Sequence, residues 1–372
     1  MSISLRFALP LIEPALNALG LNDPEGLQLL SADSFNALHH PLLNPDFPAL
    51  LPSEGAPDFA RICQVLRNQY PDDHAIQIVR RAGSGVTIEA RRLGNLDRTS
   101  VPDGTEWTVI YVPPLPQASS FERFQETIAH LRAPEGCPWD RKQTHASLRP
   151  YLLEETYEVL DALDAGDVSA LREELGDLLL QIVLHSQIAV EAGEFTMADV
   201  IAAIDEKIIR RHPHVWGTVE VNDDQDVKVN WDRLKQGEEK NEHRTSRLDG
   251  VPKSLPALSQ AYTYQDRAAR VRFDWETIAP VIDKVDEEME ELLTAPDHAS
   301  REMEVGDLLF AVVNWARWLG VEPESALREA NARFYRRFNY VERQAVAQNH
   351  PLDSMSLAEM DALWEAAKAS GL

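Results

Sequence analysis

The residues best suited to do chemistry are carboxylates that recur in a fixed order. A first run, Glu154-Glu155-Thr156-Tyr157-Glu158, is followed by Glu174-Leu175-Gly176-Asp177. A second run, Glu287-Glu288-Met289-Glu290-Glu291, is followed by Glu304-Val305-Gly306-Asp307. An α-helix turns about 100° per residue, so Glu154, Glu155 and Glu158 fall within an arc of roughly 100°, and Glu174 and Asp177 lie about 60° apart. If the two helices of each set pack antiparallel, five acidic side chains converge. At an effective dielectric near 20, two such charges about 4 Å apart repel by about 4 kcal/mol. A cation has to neutralise that cluster. Hard oxygen ligands on stiff helices suit Mg²⁺, with Mn²⁺ as substitute.

Basic residues follow each set: Lys207, Arg210 and Arg211 after the first, Arg333, Arg336 and Arg337 after the second. Arginine forks onto phosphate oxygens and lysine offers a point charge. Carboxylates for a metal beside cations for phosphate suit a metal-dependent enzyme acting on a polyphosphate. Gly176 and Gly306 sit between the Glu and the Asp of each pair. A mid-helix glycine costs about 1 kcal/mol against alanine, so two at matching places point to close approach of a helix or ligand. A single acidic run is usually a solvated helix face. Its return in the same order, with the same downstream pair and a basic stretch, favours a duplicated module. Trp139 and Trp275 are either aromatic partners for a base or core and helix-start aromatics. His212, His214 and Cys137 match no known zinc spacing.

The elements that position these groups are helical. Apolar residues at three- and four-residue spacing predict helices over Tyr151 to Leu163, Leu171 to Ala192 and Met197 to Arg211, with breakers at Gly166-Asp167 and Gly193. A second block is expected over Leu258 to Ala269, Thr277 to Leu293, Arg301 to Leu319 and Glu324 to about Ala347. Ser356 and Glu359 form a capping box before a last helix at Met360 to Ala369. Gly217 to Lys253 reads as a polar linker. Residues 1–118 differ: prolines cluster there, Ala75 to Val79 and Trp107 to Val112 read as strands, Asp58 to Gln69 as a helix, and Gly83-Ser84-Gly85 and Asp103-Gly104 as turns. The expectation is a small α/β segment at 1–118, a helical module at 119–245 and a second at 246–372.

Composition narrows the function. The 372 residues are 44% hydrophobic and 26% charged, globular proportions that exclude a mostly disordered chain. The net charge of −25 argues against stable nucleic-acid binding and against anionic membranes. Two cysteines, Cys63 and Cys137, build no disulfide framework, and a cytoplasmic setting is expected. Met1 to Gly20 lacks the pattern of a signal peptide, and Leu178 to Val190 is too short and too polar to span a bilayer.

These motifs resemble the MazG family of nucleoside triphosphate pyrophosphohydrolases. The likeness runs from about Phe121 to Gln344 and includes Gly136-Cys137-Pro138-Trp139-Asp140, Gln143-Thr144-His145, both acidic sets, Arg211-His212-Pro213-His214-Val215 and Phe273-Asp274-Trp275. The resemblance implies a mainly α fold of two tandem four-helix-bundle-like modules, a homodimer, and Mg²⁺-dependent hydrolysis of nucleoside triphosphates to monophosphate and pyrophosphate. It implies metal ligands at Glu155, Glu158, Glu174 and Asp177, and at Glu288, Glu291, Glu304 and Asp307. It leaves Glu154 and Glu287 to support those ligands or to hold the attacking water. Lys207, Arg211, Arg333 and Arg337 would meet the triphosphate. Residues 1–118, through Leu43 to Leu50, Tyr70 to His74, Arg81 to Gly83 and Tyr111 to Leu115, resemble the C-terminal lobe of a tetrapyrrole methylase domain, without that domain's glycine-rich cofactor loop. A non-catalytic nucleotide sensor is the rival reading. The retention of every acid in both modules favours the enzyme.

Overall fold

The computed structural model describes residues 5–22, 24–83, 85–223, 226–227, 230–231, 234 and 246–372. The chain is mainly α with one small sheet, and it divides into two compact units. The first unit comprises Met1–Pro150 and Leu180–Met197, the second Tyr151–Leu179 and Ala198–Leu372. This grouping by contact differs from the division by element type expected at 118/119 and 245/246.

The first unit holds a sheet in the order β1-β2-β5-β3-β4, from β1 (Gln28–Leu29), β2 (Ala49–Glu54), β3 (Ala75–Ala82), β4 (Gly85–Arg92) and β5 (Thr105–Val112). Only β1 and β2 run parallel. On one face, α1 (Leu5–Leu19) buries Ile12 and Ala15 against Leu50, Val79, Trp107 and Val109. On the other, α2 (Phe59–Leu66) buries Phe59, Ile62, Cys63 and Leu66 against Leu51, Ile76, Ile78 and Ile110. The strands expected near 75–79 and 107–112 form, and the helix expected from Asp58 starts with Asp58 as its cap, accepting from the Arg61 N–H. Three elements escaped the pattern. Helix α1 contains Pro10 and Pro14, which read as breakers but are tolerated where one face is buried. Strand β2 is interrupted by Pro52, which lies beyond the two-residue reach of β1, so no ladder bond is lost. Strand β4 is an exposed edge, where Glu89 pairs with Arg80 and Arg91.

The same unit continues into α3 (Phe121–Arg132). Asp46 fastens its start by accepting from the Ser119 and Ser120 N–H groups and the Ser120 hydroxyl. At its end, Gly136 tucks so close that a Cβ would stand 2.3 Å from the His130 and Leu131 carbonyls, so only glycine fits. Arg132, almost fully buried, forks onto Glu191 at 2.8 and 2.7 Å and also donates to the Asp140 and Gln143 carbonyls. The Gly136 to Gln143 segment is thereby clamped to the C-terminal half of α5 (Val168–Ala192).

The second unit is helical. It includes most of α4 (Arg149–Ala165), the first half of α5, α6 (Met197–Arg211) and the single turn α7 (Pro213–Trp216). It continues with α8 (Ala257–Ala269), α9 (Ala279–Thr294), α10 (His298–Trp318), α11 (Pro323–Ala347) and α12 (Leu357–Ala369). All the helices expected from periodicity form, and Ser356 and Glu359 make the expected capping box. Much of the linker expected from Gly217 to Lys253 lies outside the described residues. Helix α5 is long and apolar enough by composition to cross a membrane, yet Gln181 and Ser186 within it are buried in the protein.

One contact in the first unit responds to pH. The Nδ1 atoms of His145 and His185 stand 2.7 Å apart, a distance that requires a proton between them, and Glu194 faces the Nε2 of His145 at 3.7 Å. The contacts place His145 as the Nε2–H tautomer, accepting at Nδ1 from His185. Burial, then the neighbouring His145, push the His185 pKa below 6.5. The folded state therefore binds fewer protons than the unfolded one. The stability this lowered value contributes is full above about 6.5 and is lost as pH falls through the lowered value, where the buried His185 ring must take up a charge. Trypsin cleavage after Arg141 and Lys142, normalised to a free peptide, is expected to quicken between about pH 7.5 and pH 5.5, and to lose that dependence in His185→Gln. Cleavage independent of pH in the unaltered chain refutes the assignment.

Candidate active site: two carboxylate clusters

Each acidic set is built on a helical hairpin of the second unit. In the first, α4 carries Glu154, Glu155 and Glu158, and α5 carries Glu174 and Asp177. The turn between them uses Gly166 at φ +65°, where only glycine is unstrained, and Asp167, which accepts from the Ser169 and Ala170 N–H groups. Carboxylate oxygens of Glu155, Glu158 and Glu174 lie within 4.8 Å of one another. Asp177 stands close enough that its charge acts on both Glu155 and Glu174. Burial, followed by these like charges, raises the Glu155 and Glu174 carboxyls above the usual range.

In the second hairpin, α9 carries Glu287, Glu288 and Glu291, and α10 carries Glu304 and Asp307. Asp297 closes the turn by accepting from the Ser300 N–H at 2.8 Å. Oxygens of Glu288, Glu304 and Asp307 gather within 4.8 Å, and Glu288 is buried. Burial, then Glu291, Asp307 and Glu288, raise the Glu304 carboxyl. The structure thus brings three of each expected set of four within 4.8 Å of one another, with the fourth, Asp177 or Glu291, close enough for its charge to act on them. Glu154 and Glu287 are exposed beside them. A donor set of carboxylate oxygens alone, on two rigid helices, fits a hard divalent cation.

The two clusters are not equal. Lys284 donates to Glu288 at 2.6 Å and Glu287 at 2.9 Å, and these bonds raise its own pKa. Four residues before Glu155 the first hairpin has Tyr151 instead. Sequence reading by basic runs missed Lys284, although its spacing to Glu288 puts both on one helix face. One expectation is corrected. Among the described residues, nothing outside the helix's own backbone lies within 4 Å of a Cβ built at Gly176 or Gly306, so packing against a described helix does not require either glycine, and of the two expected causes close approach of a ligand is left.

The basic residues are disposed in parallel ways. Arg211 is buried with its guanidinium 5.4 Å from the Trp231 ring centroid; Arg337 lies 5.8 Å from that of Trp364 and donates to the Leu372 carbonyl. Lys207 is half-buried, Arg210 lies 3.6 Å from Glu206, and Arg333 pairs with Glu329 at 2.6 Å. Arg336 is exposed and lines a cleft of about 580 Å³ along α11 with Asn331, Ala332, Phe334, Tyr335 and Phe338. None of these lining residues belongs to a carboxylate cluster. Trp231 and Trp364 were not singled out from sequence. The available signal was that each precedes a lysine by four, Lys235 and Lys368, of which Lys235 lies outside the described residues. Phe334 packs against Trp364 in a tilted arrangement, with centroids 5.2 Å apart. Trp139 and Trp275 are exposed, Trp139 in the clamped segment of the first unit and Trp275 in the loop before α9. His212 is held by the Ile208 carbonyl and by Trp216 and Trp231.

Residues 143–216 match the MazG nucleotide pyrophosphohydrolase domain. Over 256 residues the chain is 45% identical to the nucleoside triphosphate pyrophosphohydrolase of Escherichia coli (strain K12), covering 67% of this chain and 97% of that one. The nucleoside triphosphate pyrophosphohydrolase/pyrophosphatase MazG of Thermotoga maritima is 45% identical over 248 residues, with 67% of this chain and 95% of that one covered. The uncharacterized protein YabN of Bacillus subtilis (strain 168) is 42% identical over 371 residues, 96% of this chain and 74% of that one. With relatives 45% identical over two thirds of its length and matched along nearly the whole of theirs, the chain belongs to the MazG family of nucleotide pyrophosphohydrolases.

Proposed function

We propose that this chain is a Mg²⁺-dependent nucleoside triphosphate pyrophosphohydrolase that cleaves NTPs and dNTPs at the α-phosphate, giving nucleoside monophosphate and pyrophosphate. The observation that carries the reading is the doubled triad of carboxylates, Glu155, Glu158 and Glu174 in one hairpin and Glu288, Glu304 and Asp307 in the other. Asp177 and Glu291 complete each set as the fourth ligand. When bound, a divalent cation, Mg²⁺ or Mn²⁺ in its place, supplies Lewis-acid charge at the phosphoryl oxygens and makes water more acidic. Glu154 and Glu287 orient the attacking water and accept its proton. Lys207, Arg210 and Arg211, with Arg333, Arg336 and Arg337, hold the phosphates and the charge that develops on leaving pyrophosphate. Trp139, Trp275, Trp231 and Trp364 are the aromatic faces available to a base.

The apolar surface supports a homodimer. Leu153, Leu175, Leu179, Ile201, Ile204 and Ile209 are among the exposed apolar side chains of α4 to α6. Such faces are what a second copy covers to complete a bundle. The net charge of −25 and the buried polar residues Gln181 and Ser186 of α5 support a cytoplasmic setting, apart from membranes and nucleic acids.

Pyrophosphate release from a panel of nucleoside triphosphates, with and without Mg²⁺, tests the activity. Glu155→Gln and Glu288→Gln are each expected to remove one cluster's share, at least tenfold of it, and the double change to abolish turnover. Activity surviving the double change eliminates the carboxylate assignment; bound nucleotide with no pyrophosphate from any base supports the sensor. Light scattering is expected to give a dimer, and Ile201→Glu with Ile204→Glu a monomer. A monomeric parent chain removes the dimer from the account. Gly306→Ala is expected to stabilise α10 by about 0.5–1 kcal/mol, because nothing among the described residues opposes the methyl group. Its activity is expected to fall, because substrate or a second copy needs that space; full activity with a raised Tm contradicts that use of the glycine.

A further inference from the structure

The second hairpin is held at both ends by different means. At its closed end, Ala295 to Asp297 join α9 to α10, and Glu288 and Glu304 each sit six residues from that turn, about 9 Å along their helices. At its open end the two helices have no covalent link. There Asp274, five residues before the start of α9, reaches the end of α10. Its Oδ2 accepts from the Arg317 Nη2 at 2.7 Å, and its Oδ1 accepts from the Trp318 indole N–H at 3.1 Å and from the Trp275 N–H at 3.0 Å. Arg317 is completed by Asn314, whose Oδ1 accepts from Nε and Nη2 at 3.0 and 2.9 Å. Asn314 is buried, and the Asp274 and Arg317 side chains are only 19% and 13% exposed. A charged pair so largely removed from water is held in one geometry in a way a surface pair is not.

The lock faces a load. Glu288, Glu291, Glu304 and Asp307 carry like charge across the two helices and push them apart, with the turn as hinge. We propose that Asp274 is a positioning residue of the second carboxylate cluster: through Arg317 and Trp318 it pins the open end of the hairpin and sets Glu288 against Glu304 and Asp307 at the spacing one divalent cation requires. The proposal rests on the reading that this cluster takes such a cation. Asp274 touches neither cation nor substrate; it acts through the helices.

The test uses the full chain with the first cluster silenced by Glu155→Gln and Glu158→Gln. Mn²⁺ binding is followed by electron paramagnetic resonance and pyrophosphate release is titrated with Mg²⁺. The parent is expected to bind Mn²⁺, and to lose it on Glu288→Gln. Asp274→Ala is expected to weaken Mn²⁺ binding at least tenfold and to raise the Mg²⁺ needed for half-maximal activity by a similar factor, while kcat at saturating Mg²⁺ stays within about threefold. General unfolding does not produce that split. Asp274→Asn keeps the one oxygen that accepts from both Trp N–H groups but replaces the oxygen facing Arg317 by an amide NH₂, which cannot accept from it, so it is expected to fall between. It also serves as the informative variant should the alanine form fail to fold. Arg317→Met is expected to add little to Asp274→Ala, since both cut one link. Mn²⁺ affinity within twofold of the parent in both Asp274 variants overturns the positioning role. A parent whose Mn²⁺ binding is unchanged by Glu288→Gln overturns the cluster reading, and this proposal with it.

Discussion

Mutual repulsion of carboxylates fixed on facing helices is the constraint around which the helical part of this protein is arranged. Four acids within reach of one point are tolerable only if their supports cannot relax apart and if positive charge is at hand. The supports are hairpins whose turns are capped by an aspartate, Asp167 in one and Asp297 in the other, each accepting backbone N–H groups at the start of the second helix. Burial first, and the neighbouring like charges after it, raise the carboxyls of Glu155, Glu174 and Glu304.

That arrangement has a cost in packing. A helix that gives one face to acids has less to give to a core. In α4 the described buried residue is Ala162, and α5 buries Val183, Leu184 and Ala189 only beyond its acidic end. The dense apolar clusters lie instead in the sheet unit, where Leu50, Leu51, Ile76, Ile78 and Ile110 are fully buried between helices. Exposed apolar side chains on α4 to α6 are therefore the counterpart of the acidic face, since two uses compete for one small helix surface.

The helices and the carboxylate sets were legible because helical periodicity and a repeated motif are local patterns, and a module written twice corroborates itself. What was not legible depended on distant partners. Pro10 and Pro14 argue against a helix until Leu50, Val79 and Trp107 supply a surface for Ile12 and Ala15. The short apolar core of β2 is obscured by Pro48 and Pro52, whose tolerance depends on the brevity of β1. Lys284 was hidden within an acidic run, where a lone lysine reads as a solvated i,i+4 partner. Asp274 was visible as part of Phe273-Asp274-Trp275, but its partners Arg317 and Trp318 lie across the hairpin, and no spacing rule links them.

Duplication preserved the acids while their surroundings diverged. Near the first set, the segment before α4 is fastened by Arg132 to Glu191 and by a pair of histidines; before α9 the fastening is a carboxylate, a guanidinium and an indole. The second set includes a lysine where the first has a tyrosine, and that lysine already satisfies part of Glu288. A cation held by the second cluster would share Glu288 with the Lys284 ammonium, whereas the first cluster has Tyr151 at the matching place. Coulomb's law would then make the cation's net gain smaller in the second cluster, although the two acidic motifs match. Identical motifs on one chain are thus not identical sites, and the difference lies in the residues that neutralise and brace the carboxylates.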